Sequence, residues 1–289
     1  MTVLVTGATG NVGSAVIREL LERGAAVRAL VRDVGAPLPS GVERSLGDFE
    51  DPLSIAAALD GVDRVFLASA DGPRKVEHET AVIDAAADVE LIVKASTHGA
   101  RVGSPLKPFD WNGRSEAYLR DSGVPSVVLA SCFYMTNLLA AADTVRTRGV
   151  LPAPAGEGRI AMIDPRDVGA VAASVLTGTG HEGRTYRLTG AAAIGYREVA
   201  SELSKATGAP VQFVDVPPPA ARDGLAAAGM PDWLVDHLDG VFALIRAGEF
   251  EETTDTVRVI TGREPRSFTE FARDNGALLG LGDRARQPA

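Results

Sequence analysis

The sequence predicts an α/β fold, a doubly wound parallel sheet with a smaller, mostly C-terminal α/β lobe. Three observations predict it. Val3-Leu4-Val5-Thr6 runs into glycines spaced Gly7-x-x-Gly10-x-x-Gly13, and an apolar-periodic run from Val12 to Leu21 opens directly behind them, which is how a strand, a tight turn and a helix are written. Strand-like and helix-like stretches then alternate as far as Ala130, as they do in a parallel sheet covered on both faces. From Val150 the texture changes to a Pro/Gly loop, Leu151-Pro152-Ala153-Pro154-Ala155-Gly156-Glu157-Gly158, followed by shorter elements. The expected division is a Rossmann domain over 1–150, joined by part of 160–190, and a substrate-binding lobe over 151–289.

The glycine turn reads as a phosphate cradle. Its backbone can approach a pyrophosphate closely, and the first-turn N–H groups of the helix face the negative charge. Gly7 supplies a conformation closed to other residues, Gly10 leaves room for the phosphates, and Gly13 lets helix and strand pack; Thr9, Asn11 and Val12 belong to the same cradle. The first helix is expected to end near Gly24.

Ala26 to Val31 is the second strand, and it ends in Arg32-Asp33, where a dinucleotide fold meets the adenosine ribose. An Arg there pairs with the 2′-phosphate of NADP, whereas an acid favours NAD. Arg32 therefore argues for NADP, and Asp33 keeps NAD open. Gly41 to Phe49 is a third strand, with Asp48 placed either to accept from an adenine amino group, Phe49 flanking the ring, or to serve a turn. Pro52 to Leu59 is a helix with proline in a helix-initiating position. Val62 to Ser69 is the fourth strand, ending in Ala68 and Ser69, small residues beside which a cofactor can lie. A helix over Glu79 to Ala87 and a fifth strand over Leu91 to Thr97, with Ala95 and Ser96 at its end, complete the alternation. The carboxyl ends at Gly7, Arg32, Asp48, Ser69 and Ser96 are expected to line one crevice.

Taken together, Thr6 to Gly13, Val31-Arg32-Asp33, Gly47-Asp48, Leu67-Ala68-Ser69, Ala95-Ser96-Thr97, Gly113 to Gly123, Phe133 to Asn137 and Asp164 to Val168 resemble the atypical short-chain dehydrogenase/reductases. More narrowly, they resemble the NmrA-like branch. That resemblance implies an NAD(P)H-dependent oxidoreductase of the quinone-reductase kind, acting on a quinone or similar conjugated molecule. The branch also holds cofactor-sensing regulators without turnover, and a biosynthetic reductase acting on a carbonyl or imine is a further alternative. Ordinary short-chain reductases carry a Tyr with a Lys four positions on, the cation lowering the pKa of the proton donor. Here Tyr118 is followed by Ser122 and Tyr134 by Leu138. Relatives of the isoflavone-reductase type place a catalytic Lys where Asn112 aligns. Lys94 and Lys107 are the nearby lysines, and Lys94 lies in a strand expected to be buried. Catalytic candidates are therefore Ser96, Asn112 and Tyr134, and hydride transfer is expected to rest on proximity and orientation.

A sixth strand over Pro125 to Ala130 leads to Phe133 and Tyr134, expected as cleft wall or core, and Asn137 is expected to open a helix to Arg148. Further expectations are a helix ending at Leu176, strands over Arg184 to Leu188 and Val211 to Val216, a stop at Pro217-Pro218-Pro219, and helices over Tyr196 to Thr207, Trp233 to Ala247 and Ser267 to Leu279. The tail from Arg284 is expected to be disordered. With 38 acidic against 29 basic residues and a net charge of −9, nucleic acid and anionic membranes are poor partners. A small-molecule substrate is expected, in a monomer or homodimer. The single Cys132 suits a reducing cytoplasm. No segment reads as a signal peptide, no apolar run approaches the roughly 20 residues of a membrane helix, and the four histidines lack ligand spacing, so no metal is expected.

Overall fold

In the computed structural model, which describes residues 1–276, the chain opens with β1 (Thr2–Val5), α1 (Asn11–Glu22), β2 (Ala26–Val31), β3 (Val42–Leu46), α2 (Pro52–Leu59) and β4 (Arg64–Leu67). α3 (Lys75–Ala85), β5 (Leu91–Thr97), α4 (Lys107–Asp121) and β6 (Ser126–Ser131) follow. A 3₁₀ segment at Met135–Ala141 leads to α5 (Ala142–Arg148), β7 (Val150–Ala153), β8 (Arg159–Ile160), α6 (Pro165–Thr177) and β9 (Thr185–Leu188). The remainder is β10 (Ile194–Gly195), α7 (Tyr196–Thr207), β11 (Gln212–Asp215), α8 (Pro218–Ala227), α9 (Asp232–Arg246), α10 (Thr256–Thr261) and α11 (Phe268–Asp274).

Two compact units result. The first comprises Met1–Ser131, Pro165–Leu188 and Thr256–Arg263; the second comprises Cys132–Asp164, Thr189–Asp255 and the residues from Glu264 onward. The first unit holds a seven-stranded sheet in the order β3-β2-β1-β4-β5-β6-β9, parallel throughout, with β3 at one edge. Strand order reverses between β1 and β4, and such a switch point opens a crevice at the carboxyl ends. Helices cover both faces, so the inner strands are apolar along their length: Val3, Leu4, Val5, Val65, Phe66, Leu67, Ile92 and Val93 are all fully buried. One core gathers Leu4, Leu30, Ile55, Val65, Leu67, Val82, Ile83, Ile92 and Leu119. α1 packs on α6, whose Val168, Val171, Val175 and Leu176 are fully buried. The second unit contains the parallel pair β7–β11 and the antiparallel pair β8–β10. No described helix is long and apolar enough to cross a membrane.

Several elements differ from the sequence reading. α3 begins at Lys75 rather than Glu79, one turn earlier, because Gly72 accepts from the Lys75 N–H and starts the helix there. The segment around Asn137 is a 3₁₀ turn, in which the Asn137 N–H donates to Tyr134, and the α-helix proper starts at Ala142. β11 ends at Asp215, just ahead of Pro217-Pro218-Pro219, where the sequence reading placed its stop, and the prolines then open α8 at Pro218, since the first helical positions need no N–H. α11 ends at Asp274, and the predicted continuation through 277–279 lies outside the described residues, as does the tail from Arg284.

Candidate active site

The turn between β1 and α1 is built by steric exclusion. Gly7 has φ +59°, and a Cβ on Gly13 would sit 2.2 Å from the Gly7 carbonyl oxygen, so only glycine lets the helix start this close to the strand. The Gly10 N–H donates to that same carbonyl at 2.9 Å. Thr6, fully buried, fastens the turn to the next strand: its hydroxyl donates to the Ala68 carbonyl and accepts from the Ala68 N–H, both at 2.8 Å. Gly7, Thr9, Gly10 and Asn11 are exposed, Val12 is half-buried, and the first turn of α1 carries no acidic side chain. The result is an open, side-chain-poor helix N-terminus that suits an anion.

On the β2–β3 side, Arg32 is exposed and makes no hydrogen bond or ion pair among the described residues. Asp33, its neighbour, is committed to its own turn, accepting from the Gly35 N–H at 2.8 Å. Asp48 likewise accepts from the Glu50 N–H at 2.9 Å, which realises its turn role. Phe49 stacks on His78 with ring centres 5.4 Å apart, so one of its faces is already covered.

The ends of β4 and β5 enclose a buried charge cluster. Glu79 and Lys94 are fully buried and Lys75 nearly so. Glu79 Oε1 lies 3.0 Å from Lys75 Nζ and accepts from the Ser69 hydroxyl at 2.9 Å, while Oε2 lies 3.0 Å from Lys94 Nζ. Lys94 also donates to the Asn112 side-chain oxygen at 2.9 Å and to the Ala95 carbonyl at 3.0 Å, and the Asn112 amide donates to the Pro108 carbonyl at 2.9 Å. Burial opposes ionisation of Glu79, but the Lys94 and Lys75 ammonium groups outweigh it and hold its pKa down at about 2. Lys94 is pushed below its ordinary value by burial and by Lys75, which Glu79 only partly offsets. Beside this cluster the Ser96 hydroxyl donates to Glu116. Tyr118 lies on the surface with its hydroxyl donating to Asp84 at 2.6 Å, and both interactions with Asp84 raise its pKa. In the second unit Tyr134 is half-buried and its backbone pairs with Ile163. Among the described residues no three His, Cys, Asp or Glu side chains gather to hold a metal.

The model of the NmrA-like family matches residues 1–272. The chain belongs to the NmrA-like family. It is 37% identical to an NAD(P)H azoreductase of Xenophilus azovorans, over 96% of this chain and 99% of the relative. It is 32% identical to quinone oxidoreductase 2 of Escherichia coli strain K12, over 89% and 93% respectively. The crystal structure of an NADPH-dependent quinone oxidoreductase from Escherichia coli complexed with NADPH superposes with a TM-score of 0.83 at 28% identity, covering 94% of this chain and 99% of that one.

Within this NmrA-like chain, the predicted strand ends Gly7, Arg32, Asp48, Ser69 and Ser96 all fall at the carboxyl ends of one sheet or in the turns just beyond them. Asn112 is buried under β5, engaged at both ends of its amide. Lys75, Glu79, Glu116 and the Thr6 clamp were missed by the sequence reading. One signal for them was present: a lone lysine within Leu91-Ile92-Val93-Lys94-Ala95 must find a buried counter-charge, and Lys75 and Glu79 stand four apart on one face of a helix.

Proposed function

We propose that this chain is an NAD(P)H-dependent oxidoreductase, taking NADPH as donor and reducing a quinone or similar conjugated small molecule. The observation that carries the reading is the glycine turn opening onto the N-terminus of α1 at a topological switch point, in a chain that matches named reductases along nearly its whole length. Gly7, Thr9, Gly10, Asn11, Val12 and Gly13 hold the pyrophosphate; Arg32 takes the 2′-phosphate; Asp48 and Phe49 border the adenine; Ala68, Ser69, Ala95 and Ser96 back the nicotinamide half. The dihydronicotinamide, when bound, supplies a hydride. A proton must also reach the acceptor oxygen, and Tyr134 and Ser96 are the candidate groups for it, with Asn112 acting through Lys94. A conjugated acceptor needs little acid help because its own ring spreads the charge of the product, which accounts for the missing Tyr–Lys pair. A monomer or homodimer in the reducing cytoplasm completes the proposal.

The test is a titration of the purified protein with NADPH and NADH by nicotinamide fluorescence, followed by a panel of quinones and azo dyes while the absorbance of the reduced cofactor is recorded. NADPH binding with acceptor-dependent oxidation supports the reading. Binding without oxidation by any acceptor turns the chain into a cofactor-binding regulator, and no binding removes the proposal.

A further inference from the structure

Beyond the Asn112–Lys94 contact, the buried cluster under β4 and β5 is given no part in the chemistry just described, yet it places two ammonium groups and a carboxylate out of water. A buried ion pair is often no more stable than apolar residues of the same volume, so stability alone does not explain it. What distinguishes this cluster is what it touches. Glu79 Oε1 takes the Ser69 hydroxyl, and Lys75 reaches the Ser69 carbonyl at 3.3 Å; Glu79 Oε2 takes Lys94, which holds the Ala95 carbonyl at 3.0 Å. One carboxylate thus ties the turn after β4 to the end of β5. Asn112, anchored on Pro108, keeps Lys94 pointed at that carbonyl, and Asp71 faces Lys75 at 3.4 Å from the exposed end.

We infer that Glu79 is a positioning residue for the nicotinamide half of NADPH, fixing the spacing of Ser69 and Ala95 through its bonds to Ser69 and Lys94. The inference rests on the NADPH reading above. The adenosine half belongs to the β1–β2–β3 side of the switch point, and among the described residues no hydrogen bond or ion pair of Lys75, Glu79 or Lys94 reaches those strands. The role therefore predicts an uneven loss: contacts with the nicotinamide half weaken, and those with the adenosine half stay.

The experiment compares Kd for NADPH with Kd for adenosine 2′,5′-bisphosphate, which carries the phosphorylated adenosine half and no nicotinamide, in the unsubstituted protein, Glu79→Gln and Lys94→Met. Thermal denaturation verifies folding. Lys94→Met leaves Glu79 balanced by Lys75 and serves if Glu79→Gln does not fold. The expected result is an NADPH Kd raised about tenfold or more in either variant, with the bisphosphate Kd within about twofold of the unsubstituted protein. Equal weakening of both ligands, or a lowered midpoint with both affinities intact, makes the cluster merely structural and overturns the inference. If the unsubstituted protein binds neither ligand, the NADPH reading itself has failed and this inference falls with it.

Discussion

Arg32 stands exposed at the end of β2 with no described partner, while one oxygen of Asp33 is held in its own turn, so the guanidinium is the wholly uncommitted group of the two. Arg32→Ala is expected to weaken NADPH about tenfold or more and to leave NADH nearly unchanged, measured by fluorescence titration. Equal loss of both cofactors would remove Arg32 from the 2′-phosphate role. Glu79 gives a second expectation. Its pKa falls from an ordinary 4.5 to about 2 on folding, so the stability it contributes is complete above 4.5 and is lost as pH drops from there toward 2. The gap in urea midpoint between the unsubstituted protein and Glu79→Gln should hold steady above about pH 5 and narrow below it; a gap independent of pH would contradict the pairing with Lys75 and Lys94. These residues also mark what a sequence displays and what it hides. Gly7, Gly10 and Gly13 are legible because their spacing is itself the geometry, whereas Lys94 signals only that a counter-charge is needed, and Glu79 is identified as that charge when α3 and β5 are laid side by side.

Among the elements, α1 and α6 show how small residues bring helices together. A Cβ on Gly169 would lie 2.6 Å from that of Ala15 and 2.8 Å from the Ala15 backbone, which cannot step aside. Arg64 of β4 donates to the Leu176 carbonyl in the last turn of α6 at 2.9 Å and to the Gly178 carbonyl just beyond it at 2.7 Å, so the helix is fixed at its end as well. Gly169→Val is expected to cost about 1–3 kcal/mol, read as a lowered urea midpoint with an unchanged slope. A neutral result would mean that the pair is free to separate. α2, β5 and α7 fall where the sequence placed them, each bounded by an unambiguous signal: Pro52 at the start of α2, the apolar run of β5, and Gly208 with φ +67° after α7. α3 was misread at its start, because a glycine turn punctuates without stating on which side the helix lies.

For the whole molecule, the consequential fact is that the first unit draws on three separate stretches of chain. A polypeptide ending at residue 150 would contain the glycine turn but lack β9, which pairs with β6, and α6, which covers α1. The four fully buried side chains of α6 named above, at ~1.5–3 kcal/mol apiece, rival the entire net stability of an ordinary domain. Such a polypeptide should aggregate or melt without a cooperative transition in circular dichroism, and a soluble, cooperatively melting 1–150 would refute the division. At the opposite edge, β3 turns an open row of backbone groups outward, with Glu43 and Arg44 exposed at its middle and Glu43 held by Arg28 at 2.9 Å. A strand arriving from another molecule would have to strip water from neighbouring charges of opposite sign that project to the two faces of the sheet. This margin of the sheet is therefore a poor template for fibril growth.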